Sequence, residues 1–149
     1  RQENPMTRFH VTRHIDATPA AVWRVLASRR SLAGGDFGIT SLVGPSDTLG
    51  AGQILRLTNV VTGSRVFRLK VVAFTPTTRM VWRGGMPFGL FVGTRTFDLI
   101  ATATGTRFEM TEVFSGPLSG LVVKSIPDLA PGFETFAAAL AAHATKGKP

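Results

Sequence analysis

The chain has 149 residues, 44% hydrophobic and 17% charged, with a formal net charge of +8 and no cysteine. This composition excludes a disordered chain, fits one domain with a real core, and rules out disulfides, thiol nucleophiles and thiolate metal sites. The positive balance invites nucleic acid, but the arginines are scattered and only Arg29 and Arg30 are adjacent. A solvated basic surface is the reading, and no nucleic-acid partner is expected.

Met6 fits a native start, which makes residues 1–5 an added remnant or an unstructured lead. No basic-then-apolar leader is visible, and no apolar run approaches the roughly 18 residues of a membrane span. A cytoplasmic protein without a transmembrane segment is therefore expected, with a single domain over residues 7–146 and a short tail at 147–149. The stretch RFHVTRHID alternates Phe9, Val11 and Ile15 against His10, Thr12 and His14, the period of a half-buried strand. Arg13 interrupts the apolar set, so this strand belongs near an edge. Thr18 is a natural N-cap and Pro19 a natural first helical residue. Val22, Val25 and Leu26 then form a helical stripe beside Trp23, and a second short helix is expected at 29–32.

From Phe37 the pattern is strand throughout, over 37–43, 53–60, 65–74, 78–83, 90–103 and 106–115, separated by turn-forming residues. Six sequential strands with short turns imply an antiparallel meander. Pro127 and Pro131 interrupt the segment after the last strand. From Pro131 the alanine-rich run is helical, with Phe133, Phe136 and Leu140 on one face. One long helix is thus the cover for one apolar sheet face, and a strongly curved sheet gripping a helix can leave space between them.

The segments HIDATPAAVWRVLA, VVAFTPTTRMVWRG, GLFVGTRTFDL, TRFEMTEVFSG and GFETFAAALAAHA carry, in order and spacing, a resemblance to the START and birch-pollen-allergen (SRPBCC) superfamily. Within it they resemble the polyketide cyclase/dehydrase-like branch. The resemblance implies an α+β helix-grip fold in the order β-α-α-β6-α. Its curved seven-stranded antiparallel sheet is wrapped around the long C-terminal helix. It also implies binding of a small hydrophobic or amphipathic ligand, of lipid, isoprenoid or polyketide type, in a cavity between the sheet and that helix. The alternatives it implies are a cyclase or dehydratase, and a protein-interaction module like the activators of a chaperone ATPase. No cofactor or metal is expected, and the working state is a monomer or homodimer. Two departures stand out. Relatives often carry a tryptophan near the second strand, where this chain has Phe37. They often read Gly-x-His-x-Phe where it has Gly93-Thr94-Arg95-Thr96-Phe97.

Strand alternation assigns the inner face. Leu55, Leu57, Asn59, Phe67, Leu69, Met80, Trp82, Phe97, Met110 and Phe114 are the ligand-lining candidates from the strands, with Phe133, Phe136 and Leu140 from the helix. Arg95 and Glu112 fall on the same apolar face, and they are the candidate catalytic pair as well as ligand contacts. A carboxylate on a core face is costly unless paired, so Arg95 is its natural counter-ion. With Thr104-Gly105 as the hairpin turn, Arg95 lies opposite Phe114 and diagonal to Glu112, and Phe97 lies opposite Glu112. The histidines lack partners at catalytic spacing and read as surface residues, and Ser115 and Ser119 read as turn serines. The uncharged turn GGMPFG, between the fifth and sixth strands, is expected to be the lip of the pocket. Phe88 should cover ligand or core there, at the same end as the turn at 62–64 and Gly116-Pro117.

Overall fold

The computed structural model describes residues 7–34, 36–60, 63–125 and 129–146. The expected lead and tail lie outside these residues, as does Thr62 of the turn at 62–64. Strand β1 (Thr7–Ile15) leads into α1 (Pro19–Leu26) and α2 (Arg29–Leu32). The Thr18 hydroxyl accepts a hydrogen bond from the Ala21 N–H, closing the first turn of α1 as the sequence predicts. Val22, Trp23 and Leu26 are the face it buries.

The meander comes next as β2 (Ile39–Val43), β3 (Ile54–Asn59), β4 (Phe67–Thr75), β5 (Arg79–Gly85), β6 (Val92–Thr102) and β7 (Gly105–Ser115). All seven strands form one antiparallel sheet in the order β1-β7-β6-β5-β4-β3-β2. Strand β1 is therefore an edge, in keeping with exposed Arg13. This is the curved sheet of the helix-grip fold, with one addition. A short helix α3 (Ser119–Ser125) precedes the long α4 (Ala130–Thr145), so the order ends α-α and not in a single helix. The segment Ser-Gly-Leu-Val-Val-Lys-Ser is brief and β-branched, so it carries no helical signal above the noise.

The core lies between the inner sheet face and α4. Phe136 is its centre, with ring contacts to Phe37 at 4.9 Å, Phe97 at 5.7 Å and Phe108 at 6.2 Å. Phe37, in the segment before β2, is buried against the helix. Among the described residues no helix is long and apolar enough to cross a membrane.

The β6–β7 register differs from expectation by two residues. Ala103 and Thr104 make the turn, Thr102 pairs with Gly105, and Arg95 directly opposes Glu112. Gly105 is in the strand because the β1–α1 link passes against it. A Cβ there would lie 2.3 Å from the Ile15 carbonyl oxygen. The glycine answers a close approach between backbones, not a turn. A two-residue slip preserves the face of every side chain, so the inner-face assignment survives it.

Candidate functional site

Three of the rows of side chains that cross the inner face from strand to strand frame the site. The deepest runs through Met80, Phe97, Met110 and Val11, and all four are buried. The next runs Val71, Trp82, Arg95, Glu112 and Phe9. The last, toward the β5–β6 loop, runs Leu69, Gly84, Gly93 and Phe114.

The middle row holds the polar groups. Arg95 Nε donates to Glu112 Oε1 at 2.6 Å, with side-chain exposures of 23% and 10%. Direct opposition across a narrow antiparallel pair brings the two side chains together. The guanidinium also lies 4.9 Å from the centre of the Phe133 ring, which fixes it from the α4 side. Beside Arg95 stands Trp82, 2% exposed and edge-on to Phe97 at 4.8 Å. Its indole Nε1 is buried without a hydrogen-bond partner. A buried donor left unpaired costs about 1–3 kcal/mol, so an orphan here is not a neutral filler. Strand alternation places Trp82 inward but gives no means to see that its N–H lacks an acceptor.

The middle of the outer row is a floor of two glycines. A Cβ on Gly84 would meet the Arg68 carbonyl oxygen and Leu69 Cδ2, both at 2.7 Å. One on Gly93 would meet Glu112 Oε2 and Phe114 Cε1 at 3.1 Å. Leu69, Glu112 and Phe114 thus lean over the two glycines. Leu69 is half-buried and Glu112 ends in a flexible carboxylate held by Arg95, whereas the Arg68 carbonyl over Gly84 is backbone.

Several expectations need correction. Two hollows stand out on the described residues, and neither lies between the sheet and α4. One is an open groove by Val43, Gly44, Pro45, Gln53, Ile54 and Arg56, and the other lies between residues 17–19 and 101–105. The expected roomy cavity is replaced by packed rings where Phe97 and Phe108 meet Phe136. Phe88 does not cover core, because its ring is 98% exposed. Its loop does sit at the expected end, since the Leu118 N–H donates to the Leu90 carbonyl at 2.8 Å. Leu55, Leu57, Met80, Phe97, Met110, Phe136 and Leu140 are buried core. Phe67 and Leu69 are half-buried, and Asn59 on β3 stands two strands away from Trp82, apart from the polar row.

His10 and His14 are exposed on the outer face, bonded to Thr111 and Thr104. His143 departs from the surface reading. Its Nε2 lies 2.8 Å from Asp36 Oδ2 and its ring is 5.4 Å from that of Phe37. The partner is more than a hundred residues away in sequence, which spacing along the chain does not reveal. Ser119 is buried at the start of α3 and is not a surface turn residue. Among the described residues no three His, Asp or Glu side chains are grouped to hold a metal.

The sequence pattern of a family described as polyketide cyclase/dehydrase and lipid transport matches residues 6–145. Solved structures share the fold at low identity. A protein from Mesorhizobium loti superimposes with a TM-score of 0.74 at 18% identity, over 96% of this chain and 100% of its own. A point mutant of norcoclaurine synthase from Thalictrum flavum, in complex with a transition-state analogue, gives 0.75 at 14% identity over 100% of both chains. An aromatase/cyclase from Streptomyces sp. R1128 gives 0.70 at 15% identity over 95% of each. No curated protein matches the sequence.

Proposed function

The chain belongs to the polyketide cyclase/dehydrase and lipid transport family, and from that footing we propose that it binds a small amphipathic ligand on the inner face beside α4. The ligand is of lipid, isoprenoid or polyketide type, and its polar end carries an acceptor oxygen. It enters at the glycine floor, moving Leu69 and Glu112 aside from Gly84 and Gly93. Its oxygen takes the Trp82 N–H and shares the Arg95 guanidinium. The single observation that carries this reading is the unpartnered, buried Trp82 Nε1 next to the Arg95–Glu112 pair. A polar point in an otherwise apolar lining is how small-molecule sites fix orientation. We place the protein, as a monomer or homodimer, in the cytoplasm, where its cysteine-free composition is at home.

The test uses two dyes. Anilinonaphthalene sulfonate has a polar end with acceptor oxygens, and diphenylhexatriene has none. In Trp82→Phe the affinity for the sulfonate should fall about five- to tenfold, the worth of one hydrogen bond, while diphenylhexatriene binding is unchanged. Failure of the parent protein to bind either dye overturns the reading, as does an equal loss for both in the variant.

A cyclase or dehydratase is the second reading, favoured by the 2.6 Å Arg95–Glu112 contact. A guanidinium can polarise a ligand carbonyl while the carboxylate takes a proton from the neighbouring carbon. It requires that Glu112→Gln abolish turnover of a carbonyl-rich substrate while leaving its binding intact.

A further inference from the structure

The sheet brings together cations that are far apart in sequence. Between residues 48 and 97 the chain has seven basic residues and no Asp or Glu. On the outer face of β3, β4 and β5, Arg56 directly opposes Arg68, and Lys70 directly opposes Arg83. All four are exposed, and none has an ion pair among the described residues. Like charges facing each other across strands repel, so a sheet that keeps four of them carries a cost that folding does not recover. Elsewhere on the outer face two of the cations are paired. Arg79 is bonded to Asp98 at 2.6 Å, which raises its pKa further, and Arg107 to Glu109 at 2.8 Å.

Of the eight large apolar side chains exposed among the described residues, all but Val43 and Val72 lie toward one end of the same half. Val60 and Val66 flank the β3–β4 turn, and Met86, Phe88 and Leu90 form the β5–β6 loop. Leu121, 70% exposed on α3, sits at this end through the Leu118–Leu90 hydrogen bond, and Lys124 is exposed one turn on. Phe88 is held at φ +62°, a left-handed conformation that a bulky side chain adopts only under constraint, and the constraint places its ring in solvent. An apolar rim at the same end as unpaired cations marks an interaction surface. Nucleic acid would use the cations but leaves Met86, Leu90 and Leu121 without a role. An anionic bilayer uses both, taking apolar side chains below the headgroups and cations at their level.

We propose that this end of the protein, tipped by Phe88, docks on anionic lipid bilayers, independently of what its interior binds. Arg68, Lys70 and Arg83 hold the headgroup phosphates while Met86, Phe88 and Leu90 enter the interface. Each cation contributes about a fivefold gain in affinity near an anionic surface, and salt weakens that gain.

The test is co-sedimentation of the full chain with vesicles of phosphatidylcholine alone and of phosphatidylcholine mixed with phosphatidylglycerol. Binding to the mixed vesicles should exceed binding to the neutral ones by at least about tenfold and fall as salt is raised. Phe88→Ser should weaken it by about tenfold or more, the transfer of one aromatic ring. Arg68→Gln with Arg83→Gln should weaken it by about twenty-fivefold. These side chains are exposed, so folding is not at stake. In Phe88→Trp the added fluorescence should shift to the blue on the mixed vesicles. Equal binding to both vesicles, or full binding by Phe88→Ser, overturns the proposal. So does tight capture of an oligonucleotide by a protein that leaves both vesicles in solution.

Discussion

Two ends of one sheet face are built on opposite plans. At the closed end, Met80, Phe97 and Met110 are fully buried and Phe136 stacks among Phe37, Phe97 and Phe108. At the end proposed as the mouth, further along β5 and β6 on the same face, the inward positions are Gly84 and Gly93, covered by the Arg68 carbonyl, Leu69, Glu112 and Phe114. The closed end is filled with fully buried rings and methionines. The space over the two glycines is closed partly by the ends of the Leu69 and Glu112 side chains and partly by the Arg68 carbonyl, which is backbone. The difference teaches where a fold of this size can yield space without losing its core.

The largest expected effect breaks the closed end. Phe136→Ala removes a ring with three aromatic neighbours and should cost about 3–5 kcal/mol in denaturant unfolding. A loss under about 1 kcal/mol would mean that the closed end collapses as readily as the mouth, and the contrast would be gone.

Next is the polar row between the two ends. Arg95→Met leaves Glu112 nearly buried without its cation and removes the guanidinium from the Phe133 ring. A fully buried pair loses more when broken, but Arg95 keeps access to water, so about 2 kcal/mol is expected. The double variant with Glu112→Gln should recover part of that loss, because the orphaned carboxylate is then neutral. No recovery would show that Arg95 acts through packing alone.

The elements themselves were legible because their periods are local. Thr18-Pro19 announces α1, and the alternation around Phe97 and Met110 survives even a wrong turn assignment. What the chain could not display is proximity between distant residues. Gly105 reads as a turn residue until the Ile15 carbonyl is seen against it. His143 reads as solvent-facing until Asp36 arrives from the other side of the domain. The arginines read as scattered, since Arg56, Arg68 and Arg83 are a dozen or more residues apart, and only the strand register sets them side by side. The Arg95–Glu112 pair was visible because a hairpin makes that contact nearly local. The orphaned Trp82 N–H was not, because satisfaction of a donor is a property of everything around it.

The smallest effect has an opposite sign. Phe88 holds a left-handed backbone with a ring that touches almost nothing, so the conformation costs stability and the side chain returns none. Glycine adopts φ +62° freely. The relief of about 1–2 kcal/mol is reduced by the greater entropy that glycine loses on folding. Phe88→Gly should therefore raise stability by about 0.5–1 kcal/mol in urea titration, while lowering affinity for anionic vesicles as Phe88→Ser does. A loss of more than about 1 kcal/mol would show that the ring packs on the mouth in solution, as a cover for the glycine floor. A gain would show that the Phe88 ring adds nothing to the folded core and is free to serve a surface outside it.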